Sequence, residues 1–163
     1  MAENVKSVLR ELTPEATGEA KALIRGADHA ALAVLEPGTG WPLASRVGLA
    51  TLPDGTPLIL ISALAAHSAA LDADPRCSML IGTVGKGDPL AHPRITLICR
   101  GTVIETGSTA AAEARTRYLA MHPKAATYVD LPDFRFFRLT IERASFNGGF
   151  GRAYAIEGRQ LIG

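Results

Sequence analysis

The stretch Leu58-Ile59-Leu60-Ile61 constrains the fold more than any other part of the chain. It is apolar without alternation, and Pro53-Asp54-Gly55 and Ser62 bracket it too closely for a helix. Such a run reads as a strand covered on both faces, so other elements must pack on each side of it. From position 29 onward the chain supplies them as short β-compatible runs at 29–35, 43–52, 57–62, 77–84, 94–106, 137–142 and 152–156. Glu36-Pro37-Gly38 and Pro53-Asp54-Gly55 break the series, the second as a hairpin turn.

Three helical segments interrupt the strands. Thr13-Pro14-Glu15 reads as N-cap, first-turn proline and first-turn acid. Ala16, Ala20, Leu23, Ile24 and Ala27 then share a face, predicting a helix to about Asp28. A second helical stretch at 64–74 must end at Pro75. The third is capped by Gly107-Ser108-Thr109 and puts Ala111, Ala114, Tyr118 and Met121 on one face, with Glu113 and Arg117 as an i,i+4 pair; His122-Pro123 ends it. The run at 94–106 is expected to turn Ile95, Leu97, Cys99 and Val103 one way and Thr96, Arg100 and Thr102 the other. Helices set between groups of strands, rather than alternating with them, predict a mainly β fold, an antiparallel barrel of about six strands with accessory helices. The 163 residues suit one domain, with 1–12 expected as a flexible N-terminus.

Charge and composition remove several functional classes. A formal charge of +1 lacks the single-sign excess that nucleic acids or anionic membranes attract. Glu3, Lys6, Arg10 and Glu11 spoil a signal peptide, and the apolar stretch at 58–66 is too short to span a bilayer. Cys77 and Cys99 lie outside any CxxC pattern and read as two core residues in a reducing cytoplasm. His29, His67, His92 and His122 show no metal-type spacing. The glycine loops of dinucleotide and nucleoside-triphosphate sites and a serine nucleophile elbow are missing. No acid or base stands out as catalytic.

A local anion site does stand out. In Ser45-Arg46-Val47-Gly48-Leu49-Ala50-Thr51, alternation sends Val47, Leu49 and Thr51 to one face and Arg46, Gly48 and Ala50 to the other. An arginine beside two nearly side-chain-free positions suits a flat anionic ligand lying against the strand; a barrel bend with a surface arginine gives the same pattern. Ser62 then ends the buried strand, and His67 and Ser68 enter the next helix, where free N–H groups favour phosphate. Arg76, after Asp74-Pro75, is expected to pair with a local carboxylate.

Taken in order, Arg46, the segment ISALAAHSAALDADPRCSML, GDPLAHPRITLICRGTV, RYLAMHPKA and NGGFGRA resemble the pyridoxamine 5′-phosphate oxidase-like family of FMN-binding split barrels. The likeness runs from about Gly18 to Ile156 and is strongest to the branch related to haem-utilisation proteins. It implies a six-stranded split barrel that forms a homodimer, with FMN at the subunit interface and a small-molecule substrate. By the resemblance, Arg46, Ser62, His67 and Ser68 hold the phosphate, Val47 to Thr51 give backbone contacts, and Thr96 touches the flavin. Asn147, Phe150 and Arg152 would reach the site from the partner, unless NGGFG is only a hairpin. His67-Ser68 stands where the vitamin B6 oxidases carry Arg-Lys, and their C-terminal Arg-x-His signature is missing, so their substrate is not implied. The function expected is a flavin-dependent oxidoreductase. The alternatives are a flavin or haem binding protein without turnover and a structural dimer with an empty groove.

Overall fold

The computed structural model describes residues 8–163. Residues 1–7 of the expected flexible N-terminus therefore lie outside the described residues. Leu9 bridges to Ala153, and the Arg10 amide donates to the Ala153 carbonyl at 2.8 Å.

Eight strand segments form one antiparallel sheet: β1 (His29–Leu35), β2 (Pro42–Gly48), β3 (Ala50–Thr51), β4 (Pro57–Ser62), β5 (Arg76–Ile81), β6 (Arg94–Val103), β7 (Phe134–Asn147) and β8 (Ala153–Glu157). Their order is β2-β1-β5-β6-β7-β4-β3, with β8 added on β7. Because β2 and β3 are separated only by Leu49, one stretch of chain joins both ends of the sheet, which curls into a split barrel. The count is eight rather than six for two reasons. The run expected as one strand at 43–52 breaks at Leu49, whose amide donates to the Asp28 carbonyl at 2.9 Å while the chain changes partner from β1 to β4. The strand β8 lies outside the curled path.

The expectation for the apolar run holds. Ile59 and Ile61 enter the barrel core with Leu32, Met79, Ile95, Leu97 and Phe137, whereas Leu58 and Leu60 enter a second core with Ile104, Tyr118, Val129 and Phe136. Each of these side chains is worth about 1.5–3 kcal/mol of burial. Helix α1 (Pro14–Gly26), capped by Thr13 Oγ1 accepting from the Ala16 amide at 3.2 Å, packs Ala16, Ala20 and Ile24 on the barrel core, as does α2 (Ala66–Ala73) with Ala70 and Leu71. Helix α3 (Thr109–Met121), capped by Ser108, covers the opposite side of β4 and β7 through Ala114 and Tyr118.

Two side-chain expectations differ. Arg117 donates from Nε to the Thr51 carbonyl at 2.9 Å, and among the described residues no ion pair joins it to Glu113. Val103, expected inward, is exposed at the last residue of β6, beyond the register shift at Ile98/Cys99. Cys77 and Cys99 face each other across β5 and β6, buried and free; burial pushes the Cys77 thiol up to about 11 and Cys99 higher still. Among the described residues, no helix is long and apolar enough to cross a membrane.

Candidate functional site

Cross-strand register carries one row of residues over the outside of the barrel. Arg46 of β2 pairs with Ala31 of β1, Ala31 with Leu80 of β5, Leu80 with Thr96 of β6, and Thr96 with Ser145 of β7. The next row along is Ala44, Ala33, Ser78, Ile98 and Arg143. Paired residues share a face, so these rows lie together on the outer surface, on the side opposite the barrel core. At three strand spacings, Arg46 and Thr96 stand about 14 Å apart. Leu80 between them is 49% exposed. The Arg46 guanidinium makes no hydrogen bond or ion pair among the described residues.

The other residues suggested for phosphate are engaged within the chain. Ser62 Oγ donates to Asp133 Oδ2 at 3.0 Å and accepts from the Leu64 amide at 3.1 Å. Ser68 is fully buried and its hydroxyl accepts from Arg135 Nη2, while Arg135 also holds Asp72 at 3.1 and 2.9 Å. His67 Nδ1 lies 3.3 Å from Ser45 Oγ, next to Arg46, and burial pushes its imidazole pKa down. Asp133 and Arg135, at the start of β7, are thus part of this region and were not foreseen from sequence.

The shallow strip at Gly48 and Ala50 is filled by protein. A Cβ on Gly48 would collide with the Tyr118 hydroxyl, and Ala50 is buried in the second core. His122 Nε2 donates to the Leu49 carbonyl at 2.8 Å. With Arg117 on the Thr51 carbonyl, α3 and the turn after it use the backbone acceptors on either side of Ala50. Val47, Leu49 and Thr51 are themselves buried.

At the far end of β7, Asn147 Oδ1 accepts from the Gly149 amide at 3.0 Å, shaping the hairpin into β8. Arg152 forms a bidentate pair with Glu19 of α1, both contacts at 3.0 Å, and Phe150 is 66% exposed. Arg76 closes on Asp74 at 2.6 Å, holding that carboxyl at about 2, as expected of a local ion pair. The structure thus puts Arg46 and Thr96 on one face, with His67 beside Ser45 at its edge. It keeps Ser68 inside and Arg152 tied to α1.

One pair escaped the sequence reading. His29 Nδ1 lies 2.5 Å from Asp28 Oδ1, and this hydrogen bond lowers the Asp28 pKa. Its only signal was the adjacent Asp-His at a strand start.

A model of the pyridoxamine 5′-phosphate oxidase family matches residues 16–148. The chain belongs to the pyridoxamine 5′-phosphate oxidase family. It is similar to a chloroplastic non-canonical haem oxygenase, HOZ, of Arabidopsis thaliana, at 34% identity over 115 residues, which are 71% of this chain and 34% of that protein. A haem-binding protein from Mycobacterium smegmatis superposes with TM-score 0.83 at 32% identity, over 93% of this chain and 61% of that one. A protein of unknown function from Agrobacterium tumefaciens gives 0.82 at 34% identity, with the same two shares of 93% and 61%. The chain therefore spans about a third of HOZ and about three-fifths of the two solved chains.

Proposed function

We propose that this split barrel binds haem on its outer β2-β1-β5-β6 face, between two copies of the chain. The observation that carries the reading is the free Arg46 guanidinium at the edge of an outward-facing row of Ala31, Leu80 and Thr96. A flat conjugated ring needs such a surface, and a carboxylate at its rim needs one accessible cation. The residues fit this group better than a phosphate, because Ser62 is already donating to Asp133 and Ser68 is buried against Arg135. The names of the Arabidopsis and Mycobacterium relatives support the same choice. Bound haem would supply iron chemistry; this chain would position the ring and neutralise its acid groups. A second copy would cover the exposed Leu80 and shield the ring from water.

The second reading is a flavin-dependent oxidoreductase with FMN on the same face, favoured by family membership and by the place of Thr96 in Arg46's row. The two separate on one bench: the purified chain is titrated with haemin and with FMN, following the Soret band and flavin fluorescence. Haemin is expected to bind, and Arg46→Ala to weaken it about 10-fold, the value of one charge-assisted hydrogen bond. Binding of FMN alone, with bleaching by NADPH, would establish the second reading instead. A monomer by sedimentation with haem bound would remove the interface.

A further inference from the structure

Cys77 and Cys99 stand directly opposite each other on the core side of the barrel, away from the outer face proposed above, and both are free thiols. The Gly101 amide donates to the Pro75 carbonyl at 2.8 Å, and Arg76 with Arg100 is the next pair along the register. Antiparallel pairs alternate between hydrogen-bonded and non-hydrogen-bonded, so Cys77 and Cys99, one step further, are a hydrogen-bonded pair. Cβ atoms in such a pair lie about 5.5 Å apart, whereas a disulfide needs about 3.5–4.5 Å. Closing that bond would draw β5 and β6 together, and β1 and β7 hold them from either side. A single atom between the sulfurs asks for no such movement: two metal–sulfur bonds of about 2.3 Å set the sulfurs about 4.6 Å apart when collinear.

The neighbours decide which metal. Met79, two residues along β5 and 1% exposed, enters the same core and is the diagonal neighbour of Cys99, within reach of a long side chain. Among the described residues, no three His, Cys, Asp or Glu side chains come together, so zinc lacks its four ligands and the hard cations lack oxygen. Two thiolates with a thioether are the donors that select copper(I), a soft cation. Burial holds both thiols protonated, so a cation that bonds sulfur weakly would not displace the protons. Cys77, 8% exposed, lines a cleft of about 260 Å³ with Val34, Leu35, Pro42, Arg76 and Ile98, and Cys99 lies behind it at 2%. The cleft gives a metal ion its way to the first sulfur.

We propose that Cys77 Sγ and Cys99 Sγ bind one copper(I) ion between β5 and β6, with Met79 Sδ as its third ligand. Binding is ligand exchange without electron transfer: two S–H bonds give up their protons to solvent, two copper–sulfur bonds form, and the thioether adds as a neutral donor. The site is independent of what the outer face binds. The reduced full chain, kept without oxygen, is titrated with copper(I) against a chromophoric copper(I) chelator, and the loaded protein is measured by X-ray absorption at the copper edge. One copper(I) per chain is expected, with a shell of sulfur alone and no uptake of zinc(II). Cys77→Ala and Cys99→Ala are each expected to lose the ion to the chelator while circular dichroism shows the sheet intact. Met79→Leu is expected to keep the ion and to lower the sulfur count from three to two. Wild type that takes up no copper(I) overturns the proposal whatever the variants do, as does a shell containing nitrogen or oxygen. Uptake that survives in both cysteine variants places the ion elsewhere, and an unchanged sulfur count in Met79→Leu removes the third ligand. Ready closure of the two thiols to a disulfide by diamide, with no loss of Tm, would refute the spacing on which the site depends.

Discussion

Gly48→Ala tests what the shallow strip of β2 is shallow for. The backbone there needs no glycine, since Gly48 has no positive φ. What it meets is Tyr118: an added Cβ would run into the hydroxyl, while Tyr118 Cζ at 3.5 Å and His122 Cε1 at 3.7 Å are ordinary contacts. The obstruction is therefore one oxygen atom. Tyr118 has little room to withdraw, being 3% exposed and packed between His122, 4.5 Å away by ring centroid, and Phe136 at 5.8 Å. Forcing a methyl into such a place costs about 1–3 kcal/mol. Alanine returns about 0.5–1 kcal/mol by restricting the unfolded chain, so a net loss of about 1–2 kcal/mol is expected. At this chain length that lowers Tm by about 2–8 °C.

Removing the oxygen should remove the penalty. In a Tyr118→Phe background the same Gly48→Ala change is expected to be neutral or to stabilise by up to about 1 kcal/mol. Urea denaturation of the four proteins gives the coupling directly, as a double-mutant cycle with an interaction energy of about 1–3 kcal/mol. Additive effects, or a Gly48→Ala protein as stable as wild type, would refute the assignment of Gly48 to Tyr118.

Two further outcomes follow from the cores and from His67. Ile59→Ala and Leu60→Ala are each expected to cost about 2–5 kcal/mol in chemical denaturation, because successive residues of β4 feed different cores; a cost for Leu60→Ala below about 1 kcal/mol would contradict the second core. His67 has its folded pKa below the ordinary 6.5 through burial, so its neutral form is favoured in the folded state. Its contribution is therefore present above pH 6.5 and is lost as pH falls through the folded pKa. The fall in stability below pH 6.5 should be shallower in His67→Gln; an unchanged slope would refute the assignment.

What the sequence revealed depended on how far apart the deciding atoms lie along the chain. The both-faces reading of Leu58 to Ile61 succeeded because burial on two sides is written in the run itself. The caps at Thr13 and Ser108 succeeded because donor and acceptor are three residues apart. Alternation also found the shallow side at Gly48, but it carries no record of what fills it, and the filler is an aromatic ring on α3. Glu113 and Arg117 were paired by helical spacing, whereas the Thr51 carbonyl, at the end of the two-residue strand β3, takes Arg117 instead. The run at 137–142 began too late because Phe134 to Phe137 do not alternate: Phe136 and Phe137 enter opposite cores. With the start of β7 unread, Asp133 and Arg135 were missing from the site.

Those two residues bear most on the choice of cofactor. Arg135 turns both Nη atoms to Asp72 and Ser68 while its Nε is buried without a hydrogen-bond partner, and Asp133 sets a carboxylate 3.0 Å from the Ser62 hydroxyl. A phosphate approaching the mouth of α2 would meet that negative charge and find one hydroxyl already donating and the other buried. Among the described residues, the guanidinium groups left without a hydrogen bond or ion pair on the outer face are those of Arg46 and, in the next row, Arg143. In the proposed haem reading, Arg46 meets one carboxylate at the rim of a ring whose body is carried by Ala31, Leu80 and Thr96. The proposed preference for haem over FMN thus rests on where the chain has already spent the Ser62 and Ser68 hydroxyls and Arg135.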